Sequence, residues 1–323
     1  MFGMELSEKG IKPFSKTMQK HLSALESFLK KQADTFDKSL KREIKECIRP
    51  KGKFIRPMLV FASSWGIDLN ERVLERAASV ELTHLATLIH DDVIDDASMR
   101  RNTPTVYKKY GMRMAILLGD AIFAQAMHLL VANNSAQANI KSINTIKKLC
   151  EGEIKQSISQ KNKAITLKDY YEIIRNKTAV LFALSCYLGA SCIDVKGWSD
   201  AAENAGMELG MAYQIYDDIC DWNISNKDIG KTLGTDLLSG KRTLPMLVLE
   251  SLLNKKELRA LKIQVENDDA VSIRKSMEEH NVFGICKEKF LERIHYAQKL
   301  IKKFEIPASK KLNEFCEAIA TLL

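Results

Sequence analysis

Between Pro104 and Pro245 the chain contains no proline. Proline fixes φ and removes a backbone donor, so it interrupts helices wherever it falls inside one. A run that long without it, in a chain that carries Pro13, Pro50, Pro57 and Pro307 elsewhere, predicts long helices. Strand signals are poor: alternating Val/Ile/Thr runs are few, and no Asn-Gly hairpin turn occurs. Apolar residues recur instead at helical spacing, as in Leu22, Leu25, Phe28 and Leu29. The expectation is an all-α fold: one domain over residues 1–323, a bundle of long helices around a central cavity. Residues 1–49 read as two amphipathic helices, with further helices over 58–70, 71–96, 112–132, 143–159 and 169–188. From residue 246 onward the helices are lysine-rich and carry no visible chemistry.

Within this pattern two acidic clusters stand out. An apolar helical segment runs into Asp91, Asp92 and Asp95, and a second runs into Asp217, Asp218 and Asp221 with the same spacing. Residues i, i+1 and i+4 lie at roughly 0°, 100° and 40° around a helix axis, so each trio shares a face. Like charges on one face repel. A bound cation offsets that repulsion, and clustered carboxylate oxygens suit a hard one such as Mg2+. A single such cluster reads equally well as an exposed acidic patch. Two copies on two helices can face each other across a cavity, where Mg2+ completes its shell with phosphate oxygens of a substrate.

Composition narrows the partners. The 323 residues are 46% hydrophobic and 28% charged, with a net charge of +8. That balance fits anionic small molecules; no nucleic-acid motif is present, and at most peripheral contact with an anionic membrane is expected. No uncharged apolar run approaches the roughly 18 residues of a membrane span, and the N-terminus lacks a signal-peptide core. Seven cysteines occur singly, without zinc-finger spacing, so a cytoplasmic location is expected.

Basic motifs flank the acidic ones. Gly52 to Pro57 is a glycine turn with Lys53 and Arg56, closed by proline at a helix start, a shape that presents N–H groups and cations to an anion. His84 lies two turns before Asp91, and Arg100 and Arg101 follow the first cluster directly. Arginine pairs with carboxylates and also grips phosphate bidentately. Lys177 and Thr178 enter an otherwise apolar helix, and Gln214 shares a face with the second cluster. Lys231 and Lys241 sit in glycine-containing polar loops without Walker spacing. Glu151 to Gln156 reads Glu-Gly-Glu-Ile-Lys-Gln near a helix end.

In their order and spacing these motifs resemble the trans-isoprenyl diphosphate synthase (polyprenyl synthetase) family. The resemblance runs from about Gly52 to Pro245: the Gly-Lys-x-x-Arg-Pro turn, the first aspartate-rich motif with its Arg-Arg, Lys177-Thr178, the Gln214-to-Asp221 motif, and the two Gly-Lys loops. Phe54 departs from the pattern, where many relatives carry a basic residue.

The resemblance implies the isoprenoid synthase fold, a homodimer, and Mg2+-dependent head-to-tail (1'-4) condensation of isopentenyl diphosphate with an allylic diphosphate primer. It further implies that Asp91, Asp95 and Asp217, supported by Asp92, Asp218 and Asp221, hold about three Mg2+ on the allylic diphosphate. Arg100, Lys177, Lys231 and Lys241 neutralise that diphosphate. Thr178 and Gln214 offer oxygens to the allylic cation. Lys53, Arg56, His84 and Arg101 bind isopentenyl diphosphate.

Below the first motif lie Thr83, Ala86 and Thr87, where similar enzymes that stop early carry a bulky aromatic. Their modest size predicts a tail of roughly thirty to forty carbons running past this level, as in a quinone side-chain precursor. The alternatives are a short-chain farnesyl or geranylgeranyl synthase, a class I terpene cyclase, and a subunit of a heteromeric prenyl synthase. A cyclase normally mixes Asn/Asp, Ser/Thr and Glu in its second metal site, and a non-catalytic subunit has degraded aspartates. Here both trios are complete.

Overall fold

The computed structural model describes residues 11–48, 52–100, 103–132, 135–162, 165–222 and 240–323. Helical residues 11–17 lead into α1 (Gln19–Gln32), followed by α2 (Lys41–Ile48) and α3 (Ile55–Ser63). Next come α4 (Glu71–Ile94) and a small antiparallel pair, β1 (Met99–Arg100) with β2 (Thr103–Pro104). Then follow α5 (Val106–Ala132), α6 (Ala136–Asn162) and α7 (Leu167–Ile174). A π-helical turn, Arg175–Ala179, joins α7 to α8 (Val180–Ala190). After α9 (Trp198–Asp221), the helices α10 (Leu244–Leu252), α11 (Lys255–Glu266), α12 (Ala270–Glu279), α13 (Val282–Ile301) and α14 (Pro307–Ala320) complete the chain.

Sequence-local chemistry sets many of these boundaries. Asn70 caps α4 by accepting from the Val73 N–H at 3.1 Å, and Thr166 with Asp169 forms a reciprocal capping box on α7. Pro245 and Pro307 fall in the first turns of α10 and α14, where a missing N–H costs nothing. Every residue of α8 is buried, so α8 is the central rod, with α3, α4, α6 and α9 packed around it. Trp198, at the start of α9, is fully buried and donates its indole N–H to Ser63 O at 3.0 Å, pinning α9 to the end of α3.

Three expectations change. The helix expected over 169–188 is two helices broken by the π turn, which side-chain periodicity does not reveal. The helix expected over 58–70 is shorter and earlier, and the Ser64 hydroxyl donates to Val60 O at its end. The helix expected over 112–132 begins at Val106 and turns at Gly111, whose φ of 79° and ψ of 167° are non-helical. The β pair after the first acidic motif went unforeseen because two-residue strands leave no alternation to read.

One more correction concerns α5. It has an 18-residue window of mean hydropathy 1.8, long and apolar enough by length and composition to cross a membrane. Arg113 and Asp120 break the apolar run but are too few to lower the mean. One side of α5 packs along α4, while Met112, Ile116, Leu117 and Val131 stay exposed on the rest of it. A helix this apolar that is covered on only one side leaves Met112, Ile116, Leu117 and Val131 available to another surface, between exposed Arg113 and Asp120.

The approach of α9 to the π turn is the tightest constraint near the cavity. A Cβ on Gly210 would lie 2.5 Å from Ala179 Cα and 3.0 Å from its Cβ. Replacing a mid-helix glycine by alanine gains about 0.5–1 kcal/mol in helix propensity, but overpacking against backbone costs about 1–3 kcal/mol. Gly210→Ala is therefore expected to lower stability, read as a reduced urea midpoint with an unchanged m-value.

Candidate active site

Both aspartate trios sit at the C-terminal ends of helices, where unsatisfied carbonyls already carry partial negative charge. On α4 the end is shaped by a Schellman turn: Ala97 N–H bonds Asp92 O at 2.9 Å and Asp96 N–H bonds Val93 O at 3.4 Å. Asp96 takes the left-handed position, with φ of 49°, a conformation aspartate tolerates better than most residues. The turn reverses the chain into β1, and Arg100 reaches back so that its Nε donates to Asp92 Oδ1 at 2.8 Å.

Each motif divides its carboxylates in the same way. The middle aspartates, Asp92 and Asp218, are buried and consumed by protein contacts. Asp92 holds Arg100. Asp218 accepts from Tyr170 OH at 2.7 Å, from Gln214 Nε2 at 2.9 Å and from Leu244 N–H at 3.4 Å. The first and last members are more open. Asp91, Asp95 and Asp217 line a cavity of about 310 Å³ together with Arg100, Lys177 and Lys241, and the buried Asp218 reaches the same lining. Asp221 is half-buried outside that lining.

The π turn delivers the residues opposite the carboxylates. A π turn widens the helix by one residue and sets Lys177 on the cavity wall, where its Nζ pairs with Glu153 of α6. Thr178 is buried and donates to Gln214 Oε1 at 2.7 Å. A continuous relay thus runs Thr178, Gln214, Asp218, Tyr170 and joins α7, the π turn, α9 and the start of α10. Across the cavity Lys241 Nζ sits 3.0 Å from Asp95 Oδ2.

Asp91, Asp95, Asp217 and Asp218 share the cavity lining with Arg100, Lys177, Lys241 and Arg242, and burial penalises the charged form of the deeper carboxyls. Burial pushes the Asp91 carboxyl up to about 6; Lys177 opposes the shift, and Glu153 and Asp95 add to it. Asp92 is raised by burial too, with Arg100 opposing. Among the described residues no three carboxylates converge closely enough to enclose a metal by themselves. An all-oxygen, anionic, incompletely closed donor set fits a hard divalent cation that takes the rest of its shell from water and substrate oxygens.

The remaining predicted residues divide. Lys53 lies near enough to Cys220 for its charge to act on that thiol, beside the end of α9. Arg56 stacks over the Phe182 ring, 5.0 Å from its centroid. Between them Phe54 is buried in the left-handed region with φ of 50°, a strained setting for a bulky residue. His84 is half-buried on the α4 face that carries Asp91. None of Lys53, Arg56 and His84 lines the 310 Å³ cavity. Arg101 and Lys231 lie outside the described residues.

Thr83, Ala86 and Thr87 do not line that cavity either. Ala86 is completely buried and Thr83 nearly so. Five residues before Asp91 is about 140° around the helix from it, and four residues is about 40°. Only half-buried Thr87 therefore shares the Asp91 face.

Sequence reading missed Tyr170, Glu153 and Gln156. Tyr170 stands seven residues before Lys177, two turns of helix, but the π turn intervenes and blurs that signal. Glu153 and Gln156 are spaced for one helix face, yet nothing local says that the face meets the π turn.

The family model described as Polyprenyl synthetase matches residues 37–279. The chain is 35% identical over 238 residues to heptaprenyl diphosphate synthase component 2 of Bacillus subtilis, spanning 68% of this chain and 67% of that one. It is 34% identical over 203 residues to geranylgeranyl diphosphate synthase of Methanosarcina mazei, 60% of this chain and 62% of the other. Its structure superimposes on that of a decaprenyl diphosphate synthase from Rhodobacter capsulatus with a TM-score of 0.86 and 26% identity, over 96% and 98% of the two chains.

The raised Asp91 carboxyl has a signed consequence. The folded, metal-free protein holds this proton more tightly than the unfolded chain, from about 6 against 3.8, so ionisation costs stability as pH rises through that window. With chelator present, Asp91→Asn is expected to melt a few degrees above the parent at pH 7.5, and the two melting curves should converge as pH falls toward 4. A variant that melts lower at pH 7.5 would contradict this account of Asp91.

Proposed function

The chain belongs to the polyprenyl synthetase family, and from that premise we propose that it is a medium- to long-chain trans-polyprenyl diphosphate synthase whose 310 Å³ cavity holds the allylic diphosphate. It is a prenyltransferase: isopentenyl diphosphate adds head-to-tail to an allylic diphosphate. The observation that carries this reading is two aspartate helix ends converging with Lys177 and Lys241 on one cavity.

Asp91, Asp95 and Asp217 are the residues that would hold Mg2+, about three ions per site. When bound, the metal supplies positive charge that neutralises the leaving diphosphate. Asp92 and Asp218 keep the two helix ends in register through Arg100 and Tyr170, and Asp221 extends the second acidic face. Lys177, Lys241, Arg100 and Lys231 bind the diphosphate oxygens, which lowers the cost of charge developing on them as the C–O bond breaks. Thr178 and Gln214 present oxygens beside the allylic carbons. Lys53, Arg56, His84 and Arg101 orient isopentenyl diphosphate so that its double bond meets the allylic carbon. No side chain acts as general base, and the released diphosphate takes the proton. Lys177→Ala is expected to lower kcat by about two orders of magnitude with a smaller change in the KM for isopentenyl diphosphate, measured by steady-state kinetics on both substrates.

Product length follows from the Asp91 face of α4. Thr87 lies on it, one turn below Asp91, and its small side chain leaves the tail room to pass. A product of roughly thirty to forty carbons is the reading this supports. Incubation with Mg2+, isopentenyl diphosphate and farnesyl diphosphate should give a ladder ending in that range, and Thr87→Phe should shorten it to fifteen or twenty carbons. A parent product that stops at twenty carbons would overturn the length assignment and leave the enzyme class intact.

The exposed apolar side of α5 supports a subunit contact. A homodimer through this face is the assembly proposed; the component 2 relative raises a heteromeric one. Leu117 is 52% exposed, and Leu117→Lys is expected to yield monomers by light scattering if the homodimer uses this face. A cytoplasmic location is the reading supported by seven cysteines that form no disulfide.

A further inference from the structure

Arg56 sits in an unfavourable place for a cation. It is in the first turn of α3, where the unpaired N–H groups already carry partial positive charge. Phe54, just before the helix, contributes no side-chain cap. An arginine there is disfavoured by its own helix, and a negative surface outside the helix offsets the cost. The face of the Phe182 ring supplies one, with the guanidinium Cζ 5.0 Å from the ring centroid. The π face of an aromatic ring attracts a cation, more strongly where water is excluded. Phe182 is completely buried and Arg56 half-buried.

The ring itself has little freedom. α9 closes on Phe182 at two glycines: a Cβ on Gly206 would fall 2.7 Å from Phe182 O, and one on Gly210 would fall 3.0 Å from Phe182 Cβ. Tyr213 of α9 leans on the ring, with centroids 5.5 Å apart and planes at 35°. Tyr216 stands 6.0 Å from Tyr213 in turn. α3 is fixed as well, because a Cβ on Gly189, further along α8, would fall 2.2 Å from Val60 O. That approach sets the distance between α3 and α8 at one end, and the Phe182 ring sets where Arg56 rests at the other. Thr178, one turn before Phe182, donates to Gln214, the neighbour of Tyr213. The same pair of segments therefore places a group proposed for the allylic side and a platform for a cation proposed for the isopentenyl side.

We propose that Phe182 is the positioning residue for Arg56: its ring holds the guanidinium toward isopentenyl diphosphate, and Tyr213 buttresses the ring. This rests on the assignment of Arg56 to isopentenyl diphosphate above and extends it to α8. Phe182 acts only through Arg56, so it sets affinity for isopentenyl diphosphate and leaves C–O cleavage at the allylic diphosphate unchanged.

The test is steady-state kinetics on the full-length protein, varying isopentenyl diphosphate and farnesyl diphosphate separately. Phe182→Leu is expected to raise the KM for isopentenyl diphosphate by about three- to tenfold, with kcat and the KM for farnesyl diphosphate within about twofold of the parent. Loss of a buried ring also leaves a cavity, so a second variant is Phe182→trifluorophenylalanine. Fluorine keeps the outline of the ring and drains its negative face. This variant should raise the same KM while melting close to the parent. In an Arg56→Met background neither change should raise that KM further. A trifluoro variant with the parent KM would reduce Phe182 to a packing role and overturn the proposal. Equal increases in KM for both substrates would overturn it too, since they report a general loosening of α8 against α9. Arg56→Met with the parent KM for isopentenyl diphosphate would remove the assignment of Arg56 and this extension with it. A parent protein that elongates no primer would remove the synthase reading itself.

Discussion

The structure is built around a repulsion. Two helices end in aspartate trios, with the helix dipoles adding to the negative charge, and the fold points both ends at one cavity. Such an arrangement holds only if each carboxylate is either opened to solvent and ligand or matched with a partner. The buried members take partners: Arg100 reaches back through the Schellman turn to Asp92, and Tyr170, Gln214 and Leu244 N–H surround Asp218. The open members, Asp91, Asp95 and Asp217, face the cavity together with Lys177 and Lys241. Burial pushes the Asp91 carboxyl up to about 6, with Lys177 opposing the shift. Ionisation of Asp91 costs stability in the metal-free state.

Cations of the protein are already engaged in this resting arrangement. Lys241 sits on Asp95 and Lys177 on Glu153. These are the lysines proposed to bind the diphosphate, and in that proposal a metal–diphosphate would exchange one set of charge pairs for another. Partly buried pairs exchanged for others of the same kind change the desolvation cost little. Half-neutralised carboxylates also repel an incoming diphosphate less than bare ones would.

The π turn is the mechanical counterpart of this electrostatics. Gly210 of α9 closes on it from one side and Gly152 of α6 from the other, each with no room for a Cβ. Squeezed between two helices, the turn has one place to sit, and Lys177 and Thr178 inherit that precision. The relay from Thr178 through Gln214 to Asp218 and Tyr170 then ties the position of the turn to the end of α9. α5 stands apart: it packs on the helix that bears the first trio and leaves apolar side chains uncovered, which links the geometry of Asp91 to whatever surface covers α5.

Much of this was legible in the sequence because it depends on neighbours along the chain. The absence of proline from 105 to 244 and the i, i+3, i+4 spacing dictate helices. Aspartates one and four residues apart must share a helix face whatever the fold does, and their repetition announced two facing sites. What the sequence left open depends on contacts between segments. The π turn looks like ordinary helix in one dimension, and its close packing against Gly152 and Gly210 appears only in three. Ala86 reads as a floor residue by depth along the axis, and the helices beside it leave it completely buried. Which aspartates are consumed by the protein and which remain open was decided by Arg100 and Tyr170 arriving from elsewhere in the chain. Glu153 and Gln156 have no meaning until α6 is set against the turn. Local chemistry fixes faces and ends of helices, and only tertiary packing decides what each face meets.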